Sequence, residues 1–238
     1  MSMNSVNTWG SGRTSGNQQR SRRGNIQWCM KLRPVAAAVI VALALLSQSA
    51  GALGQNIVRI EEDWTLEVGQ PDVNSVGPQV LTTMSPNADL TGTYFTMEIN
   101  HRSAPSWTPG GISIHRWTGE GRNASFDRAD RTIMQTGSEV VTWTQALYHD
   151  NGRLHFKVFN GISSTWGLFG YSSLLKLDTS WGTDHINNYT PAVSVAQSGA
   201  AYAGNRIHIL KIKCIRVTLS DGSVLTDNTE RIVQQLID

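Results

Sequence analysis

Three tryptophans lie in turn-rich segments of this sequence rather than in strand-like ones: Trp107, Trp166 and Trp181. Each stands among glycine, serine, threonine or proline residues, which favour loops. On β-sandwich proteins, exposed aromatic rings of this kind stack on sugar rings. We therefore take these tryptophans as candidate ligand-binding residues. The alternative is that they fold back over the ends of the core, because tryptophan is mostly buried in folded proteins.

A second candidate surface belongs to a predicted β-hairpin at residues 140–161. Its centre is Asn151-Gly152, the dipeptide that most readily adopts a type I′ turn. With these two residues in the loop, Tyr148 faces His155 across the strands. One face is apolar and is predicted to enter the core: Val141, Trp143, Leu147, Leu154, Phe156 and Val158. The other is mixed: Thr142, Thr144, Tyr148, His155, Lys157 and Phe159.

Tyr148, His155 and Lys157 on the mixed face are our remaining candidates for ligand binding. Because the sequence has no suitably spaced carboxylate pair and its histidines are scattered, these three side chains suit binding better than chemistry. The alternative is an ordinary sheet surface that contacts solvent or another loop, because many antiparallel sheets have one face that is not part of the core.

Motifs for catalysis are missing from the sequence. The six histidines show no H-x-x-x-H or H-E-x-x-H spacing, and there is no G-x-S-x-G, Walker or dinucleotide-binding glycine motif. The nearest acidic cluster is Glu61-Glu62-Asp63, while Glu98 and Glu139 have no acidic partner within their strands. We therefore predict no catalytic residues, and an enzyme is the less favoured interpretation.

No cofactor is predicted either. Calcium is possible in two polar stretches, one with Asn123, Asp127 and Asp130, the other with Asp178, Asp184, Asn187 and Asn188. Neither stretch has the tight spacing of known calcium-binding loops, so no motif supports a metal site.

The N-terminal region predicts export. Met30-Lys31-Leu32-Arg33 leads into an apolar run at residues 35–46 and then into Ala50-Gly51-Ala52, the three-part layout of a signal peptide over residues 30–52. The apolar run is too short to span a membrane, so no permanent span is expected after cleavage. Residues 1–29 are predicted to be a disordered extension. Met30 also begins a complete signal peptide, which allows the start of the protein to lie there instead.

Removing residues 1–52 changes the charge of the protein. Six of the 20 basic residues lie in that segment, which leaves 14 basic against 18 acidic residues and a net charge of −4. A nucleic-acid partner is therefore not expected. Cys214 is then the lone cysteine, and its apolar neighbours predict a buried, inert thiol.

Residues 53–238 predict a single all-β domain, an antiparallel β-sandwich. Strand-like alternation recurs with turns about every ten residues, and no segment has sustained helical periodicity. Trp64, Trp117 and Trp143 lie in strands, and the alternation of those strands predicts that they enter the core. Between Cys214 and Ile215 the apolar phase shifts, which predicts a β-bulge. Residues 118–137 are interpreted as a long loop, and residues 192–196 as a strand.

The hairpin resembles a known strand pair. Asp150-Asn151-Gly152-Arg153-Leu154, followed by residues 156–161, is similar to the D-G-x-L-x-F-x-V-N-G pattern of laminin-G-like and concanavalin-A-like jelly rolls, over about 20 of 238 residues. The chain also resembles an uncharacterised group of exported bacterial proteins. The resemblance implies a jelly-roll sandwich. Family members that cleave β-glucans carry E-x-D-x-x-E on one strand, and this sequence lacks it.

The sequence thus predicts an exported, non-catalytic β-sandwich protein, located in the periplasm, at the cell surface or outside the cell. Its expected partner is a glycan or another component of the cell envelope, bound in a lectin-like manner. One alternative is a polysaccharide hydrolase or lyase with a non-standard arrangement of carboxylates. A second is a structural surface protein that binds other proteins.

Overall fold

The computed structural model describes residues 54–69, 79–100, 111–118, 121–127, 138–164, 167–171, 173–200 and 207–236. The predicted extension and signal peptide, together with Trp107 and Trp166, lie outside these ranges. The described strands are β1 Ile57–Val68, β2 Val80–Met84, β3 Thr93–Asn100, β4 Gly111–Thr118, β5 Gly121–Asp127, β6 Val140–Asp150, β7 Arg153–Ser163, β8 Gly167–Phe169, β9 Lys176–Ser180, β10 Ile207–Leu219, β11 Val224–Asp227 and β12 Arg231–Gln235. A 3-10 turn covers Ser173–Leu175 and one short α-helix, α1, covers Pro191–Ala196.

Two antiparallel sheets pack against each other, which confirms the predicted all-β sandwich. The larger sheet has the order β11-β10-β1-β6-β7-β8, with β12 also paired to β10 and β9 also paired to β7. The smaller sheet has the order β2-β3-β4-β5. In the described ranges, no helix is long and apolar enough to cross a membrane.

The core lies between the two sheets and consists of alternate residues from their facing sides. Phe95 of the smaller sheet stacks on Phe156 of the larger one, with ring centroids 5.1 Å apart. Gln145 also points inward, and its side-chain amide donates to Thr82 Oγ1 on the opposite sheet. This buried hydrogen bond matters because an unpaired amide in the core would cost about 1–3 kcal/mol.

The β6–β7 hairpin has the predicted register. Asp150 pairs with Arg153, and Tyr148 pairs with His155. Asn151 and Gly152 have φ angles of 49° and 72°, the left-handed values that a type I′ turn requires. The apolar face enters the core as predicted, with each of its six members buried: Val141, Trp143, Leu147, Leu154, Phe156 and Val158.

The predicted bulge in β10 is also confirmed. Asp63 pairs with Cys214 but the next residue, Trp64, pairs with Ile212, so Lys213 is the extra residue. Cys214 was predicted to be buried, and this is wrong. Its thiol is half-buried and lies 3.7 Å from Nη1 of Arg216, because the bulge turns Cys214 away from the core.

Three further sequence interpretations are corrected. Residues 121–127, expected in a loop, form β5, which pairs along the whole of β4 and gains its stability from that partner. Residues 192–196, expected as a strand, belong to α1, which begins as helices often do, with Thr190 as N-cap and proline next. Trp117, expected in the core, is half-buried and its indole N–H donates to Thr96 Oγ1 at 3.0 Å.

Gly170 offers a test of how tightly β8 is packed against β7. Its φ is +74°, and an added Cβ would lie 2.6 Å from the Val158 carbonyl oxygen. We expect Gly170→Ala to lower the free energy of unfolding by about 3 kcal/mol, from backbone strain and the clash together. Gly222 is the control: its φ is +85° but no atom lies within 4 Å, so Gly222→Ala should cost only about 1 kcal/mol. Equal losses in urea denaturation would contradict this packing.

Candidate functional site

The outer face of the larger sheet, which points away from the smaller sheet, collects the polar side chains of its central strands. Since neighbours in register share a face, Arg59 of β1, Tyr148 of β6 and His155 of β7 form one row across the sheet. Asp63 and Thr144 belong to a parallel row four residues away. The face thus includes Tyr148, His155 and Lys157, the three hairpin residues predicted for binding.

Two β-bulges lie on opposite sides of one cross-strand pair in this sheet. Trp64 and Trp143 are paired across β1 and β6, and their rings stack in the core with centroids 6.1 Å apart. Next to Trp64, β10 contains the extra residue Lys213. Next to Trp143, the register of β7 shifts between Phe159 and Ile162. A bulge changes the direction in which nearby side chains point. Here both bulges lie beside the row that contains Trp64 and Trp143.

The extra residues of these bulges border a groove on the outer face, which we call the outer groove. Two tryptophans, Trp64 and Trp143, and seven polar residues line it: Asp63, Thr65, Thr142, Thr144, Asn160, Lys213 and Arg216. Its volume is about 350 Å³, near the lower end of the range of about 300–1,000 Å³ for small-molecule sites. Asn160 has a φ of 54°, a strained backbone of the kind that clusters at functional sites.

Arg216 fixes the carboxylates beside the outer groove. Its Nη2 donates to Asp63 Oδ1 at 2.8 Å, and its Nε donates to Glu61 Oε2 at 2.9 Å. Thr144 Oγ1 also donates to Asp63 Oδ1 at 2.8 Å. Partial burial would raise the pKa of Asp63, but the hydrogen bonds from Arg216 and Thr144 outweigh it and hold that pKa below its usual value. Asp63 is therefore ionised at neutral pH and suited to accept hydrogen bonds.

Flat side chains extend the outer face along β6 and β7. The Tyr148 ring stacks on the His155 imidazole, with centroids 4.8 Å apart, and the Arg59 guanidinium lies 5.0 Å from the Tyr148 centroid. Lys157 Nζ lies 5.2 Å from the centre of the Phe159 ring. Tyr148 and Lys157 are half-buried, whereas His155 is buried with 8 % exposure, so the tyrosine is the more accessible of the two stacked rings.

Trp181, the one loop tryptophan within the described ranges, does not join these residues. It follows β9, packs partly against the core, and donates its indole N–H to the His185 carbonyl at 3.1 Å. Its backbone N–H bonds to the Gly152 carbonyl at 3.0 Å. Trp181 therefore packs partly against the core, beside the hairpin turn.

A second polar centre lies inside the sandwich, at Glu62. This carboxyl group is fully buried. It accepts hydrogen bonds from Tyr189 Oη at 2.5 Å, Ser194 Oγ at 2.6 Å and Trp64 Nε1 at 3.0 Å. Burial raises the pKa of Glu62 to about 7, although the three donors and the charge of Arg231 oppose the rise. These bonds tie α1 and its preceding loop to β1.

Another buried group, on the smaller sheet, has the residue types of a serine hydrolase but not the geometry. Ser113 Oγ and Glu98 Oε2 lie 2.9 Å and 3.2 Å from the same atom, Nε2 of His115. In a Ser-His-acid relay the acid bonds Nδ1, so that Nε2 is left to take the serine proton. This trio therefore cannot act as such a relay.

Metal binding receives no support from the described residues, among which no cluster of three or more His, Cys, Asp or Glu side chains is suited to hold an ion. Of the residues considered for calcium, Asp178 bonds Arg153 and Asn187 bonds Asn56. Asp130 lies outside the described ranges.

Most of the outer groove was not predicted from the sequence. Lys213 and Arg216 flank the predicted bulge, so the phase shift in β10 was the available clue. The sequence predicted a regular strand at Asn160, because Val158 and Ile162 keep the same alternation. In the structure the burial shifts there, so that Ile162 is exposed and Ser163 is buried.

Comparisons with known proteins identify no relative of this chain, so its candidate site is known from the geometry alone. No family model, no curated protein and no solved structure matches the chain.

Proposed function

We propose that the protein binds a glycan, without cleaving it, in the outer groove. The observation that carries this proposal is the pair of aligned bulges, which brings Lys213 and Asn160 to one groove on the outer face. Bulges are over-represented next to functional sites. The export predicted from the N-terminal region fits a ligand of the cell envelope.

The lining of the outer groove matches the hydrogen-bonding needs of sugar hydroxyls, which both donate and accept. Asp63 offers carboxylate acceptors, Asn160 offers both an amide donor and a carbonyl acceptor, and Thr142 offers a hydroxyl. Arg216 holds Asp63 in place before any ligand arrives, which reduces the entropy lost on binding. Tyr148, on the same face, offers its hydroxyl to a sugar, because His155 and Arg59 from the strands on either side already pack against its ring.

The same electrostatics favour binding over hydrolysis. A glycosidase needs one carboxylic acid that is protonated when the substrate binds. Asp63 has a lowered pKa and Glu61 is bonded to both Arg59 and Arg216. A hydrolase or lyase with carboxylates from elsewhere remains the alternative.

A protein-binding role is the other alternative, and one observation favours it. Val140, Ile162 and Leu168 are exposed apolar residues toward the β8 edge of the outer face. Ile162 and Leu168 are direct cross-strand neighbours. Cross-linking in the native envelope distinguishes this role, since it would yield protein partners rather than retention on a polysaccharide.

Binding to immobilised polysaccharides tests the proposal. We expect Asn160→Gly combined with Thr142→Ala to weaken retention about tenfold, through lost hydrogen bonds to the sugar. Glycine keeps the positive φ of position 160, so the unfolding midpoint should be nearly unchanged. Thr229→Ala, at an exposed position between β11 and β12 and outside the outer groove, is the control. Absence of retention on any polysaccharide would count against the proposal, as would equal retention of all variants.

A further inference from the structure

Two lysines are directly opposite each other on the outer face. Lys157 of β7 pairs with Lys176 of β9. Like charges in this position destabilise a sheet. The repulsion between the two lysines lowers the stability of the sheet. A ligand of opposite charge bound between them would reduce this repulsion.

The carboxylates near these lysines are already bonded to arginines. Glu61 bonds Arg59 and Arg216, and Asp63 bonds Arg216. On β9 itself, Asp178 bonds Arg153.

The two lysines therefore keep surplus positive charge. Within the described ranges, no carboxylate forms an ion pair with Lys157 or Lys176. The chain after residue 52 has a net charge of −4. The positive charge of the two lysines is therefore confined to this part of the surface and is not a property of the whole chain.

His155 adds no charge to this area at neutral pH. Its pKa is lowered, first by burial and then by the charge of Lys176, while Asp178 and Asp150 oppose the shift and Arg153 adds to it. The imidazole is thus neutral, so the stacked rings of Tyr148 and His155 add no charge to that of Lys157 and Lys176.

The lysine pair is next to the outer groove. Phe159, whose ring lies 5.2 Å from Lys157 Nζ, pairs with Thr144, which lines the groove. A ligand in the outer groove that extends along β7 would therefore meet Lys157 and then Lys176.

From this arrangement we infer that the glycan is acidic, and that Lys157 and Lys176 bind its anionic group, a uronate carboxylate or a sulfate ester. The inference rests on the proposed function and narrows it to a class of ligand. Lysine suits this role as a mobile point charge with three donors, which can follow an anionic group of either shape.

Matched pairs of oligosaccharides test the inference with the full chain. Oligogalacturonate is compared with its carboxyl-reduced form, and oligomeric carrageenan with its desulfated form. We expect the acidic member of at least one pair to bind more tightly, by about tenfold at low salt, and the difference to shrink as salt is added. Which pair shows the difference identifies carboxylate or sulfate.

The variants K157Q and K176Q together should remove that preference. We expect the double variant to bind the acidic oligosaccharide about tenfold more weakly and the neutral one as before. Lys211→Gln is the control: it removes the same charge from β10, outside the groove lining, and should leave the preference intact.

The outcomes separate this inference from the proposed function. Equal binding of acidic and neutral members, or a preference that survives in the double variant, would overturn the inference while leaving glycan binding in place. If neither member of either pair binds, and no other polysaccharide is retained, both fail.

Discussion

Replacing Trp143 by alanine is expected to lower the free energy of unfolding by about 4 kcal/mol, as large-to-small changes of core aromatics do. Trp143 is 2 % exposed and stacks on Trp64 with an interplanar angle of 2°. The two rings lie beneath the outer groove, between the two bulges. Trp143→Ala should therefore also disturb the groove, and chemical denaturation would measure the loss of stability.

The two tryptophans differ in one hydrogen bond, and this gives a sharper comparison. Within the described structure the buried Trp143 Nε1 has no hydrogen-bond partner, whereas Trp64 Nε1 donates to Glu62. Trp143→Phe removes an unsatisfied donor, but Trp64→Phe deprives a buried carboxyl group of one. At pH 8 we expect Trp64→Phe to cost about 1–3 kcal/mol more than Trp143→Phe. The reverse order would show that the Glu62 network does not stabilise the fold as described.

Glu62 is expected to make the protein less stable as the pH rises. Its pKa is about 7 in the folded protein, against 4.5 for an unperturbed glutamate, so the folded state binds the proton more tightly than the unfolded chain. Its contribution to stability is therefore fully present below pH 4.5 and is lost as the pH rises through about 7. The shift corresponds to about 3 kcal/mol.

Glu62→Gln isolates this contribution, because glutamine fills nearly the same space and stays neutral. We expect the variant to gain about 3 kcal/mol relative to the natural protein between pH 4.5 and pH 8. Acidic groups with lowered pKa values, such as Asp63 and Asp227, act in both proteins and cancel in the difference. Denaturation curves at a series of pH values measure it; a difference independent of pH would contradict the assigned burial of Glu62.

Local patterns explain why the sheets were predictable. The period-2 alternation of the hairpin and the Asn151-Gly152 turn determine their own register, since a slip by one residue would expose the whole apolar face. The bulge in β10 was predictable for the same reason, because an extra residue leaves a visible phase shift. Residues 121–127 carry no such pattern, and they form a strand through pairing with β4.

The candidate site was less predictable, since it depends on contacts between distant parts of the chain. Tyr148, His155 and Lys157 were identified because they share a hairpin. Asp63 and Arg216 are more than 150 positions apart, and only the pairing of β1 with β10 brings them together. Glu62 lies between Glu61 and Asp63 in an acidic run of the sequence. Strand alternation directs its side chain into the core, whereas Glu61 and Asp63 point outward.

A glycan that occupies the outer groove should change the chemical shifts of the residues around it. Isotope-labelled protein is titrated with an oligosaccharide of the best-retained polysaccharide, and backbone amide chemical shifts are followed by NMR. We expect the largest changes at the amides of Asp63, Thr144, Asn160 and Lys213, which line the outer groove. Changes confined to the smaller sheet or to the loop around Trp181, with these four amides unmoved, would contradict binding in the outer groove.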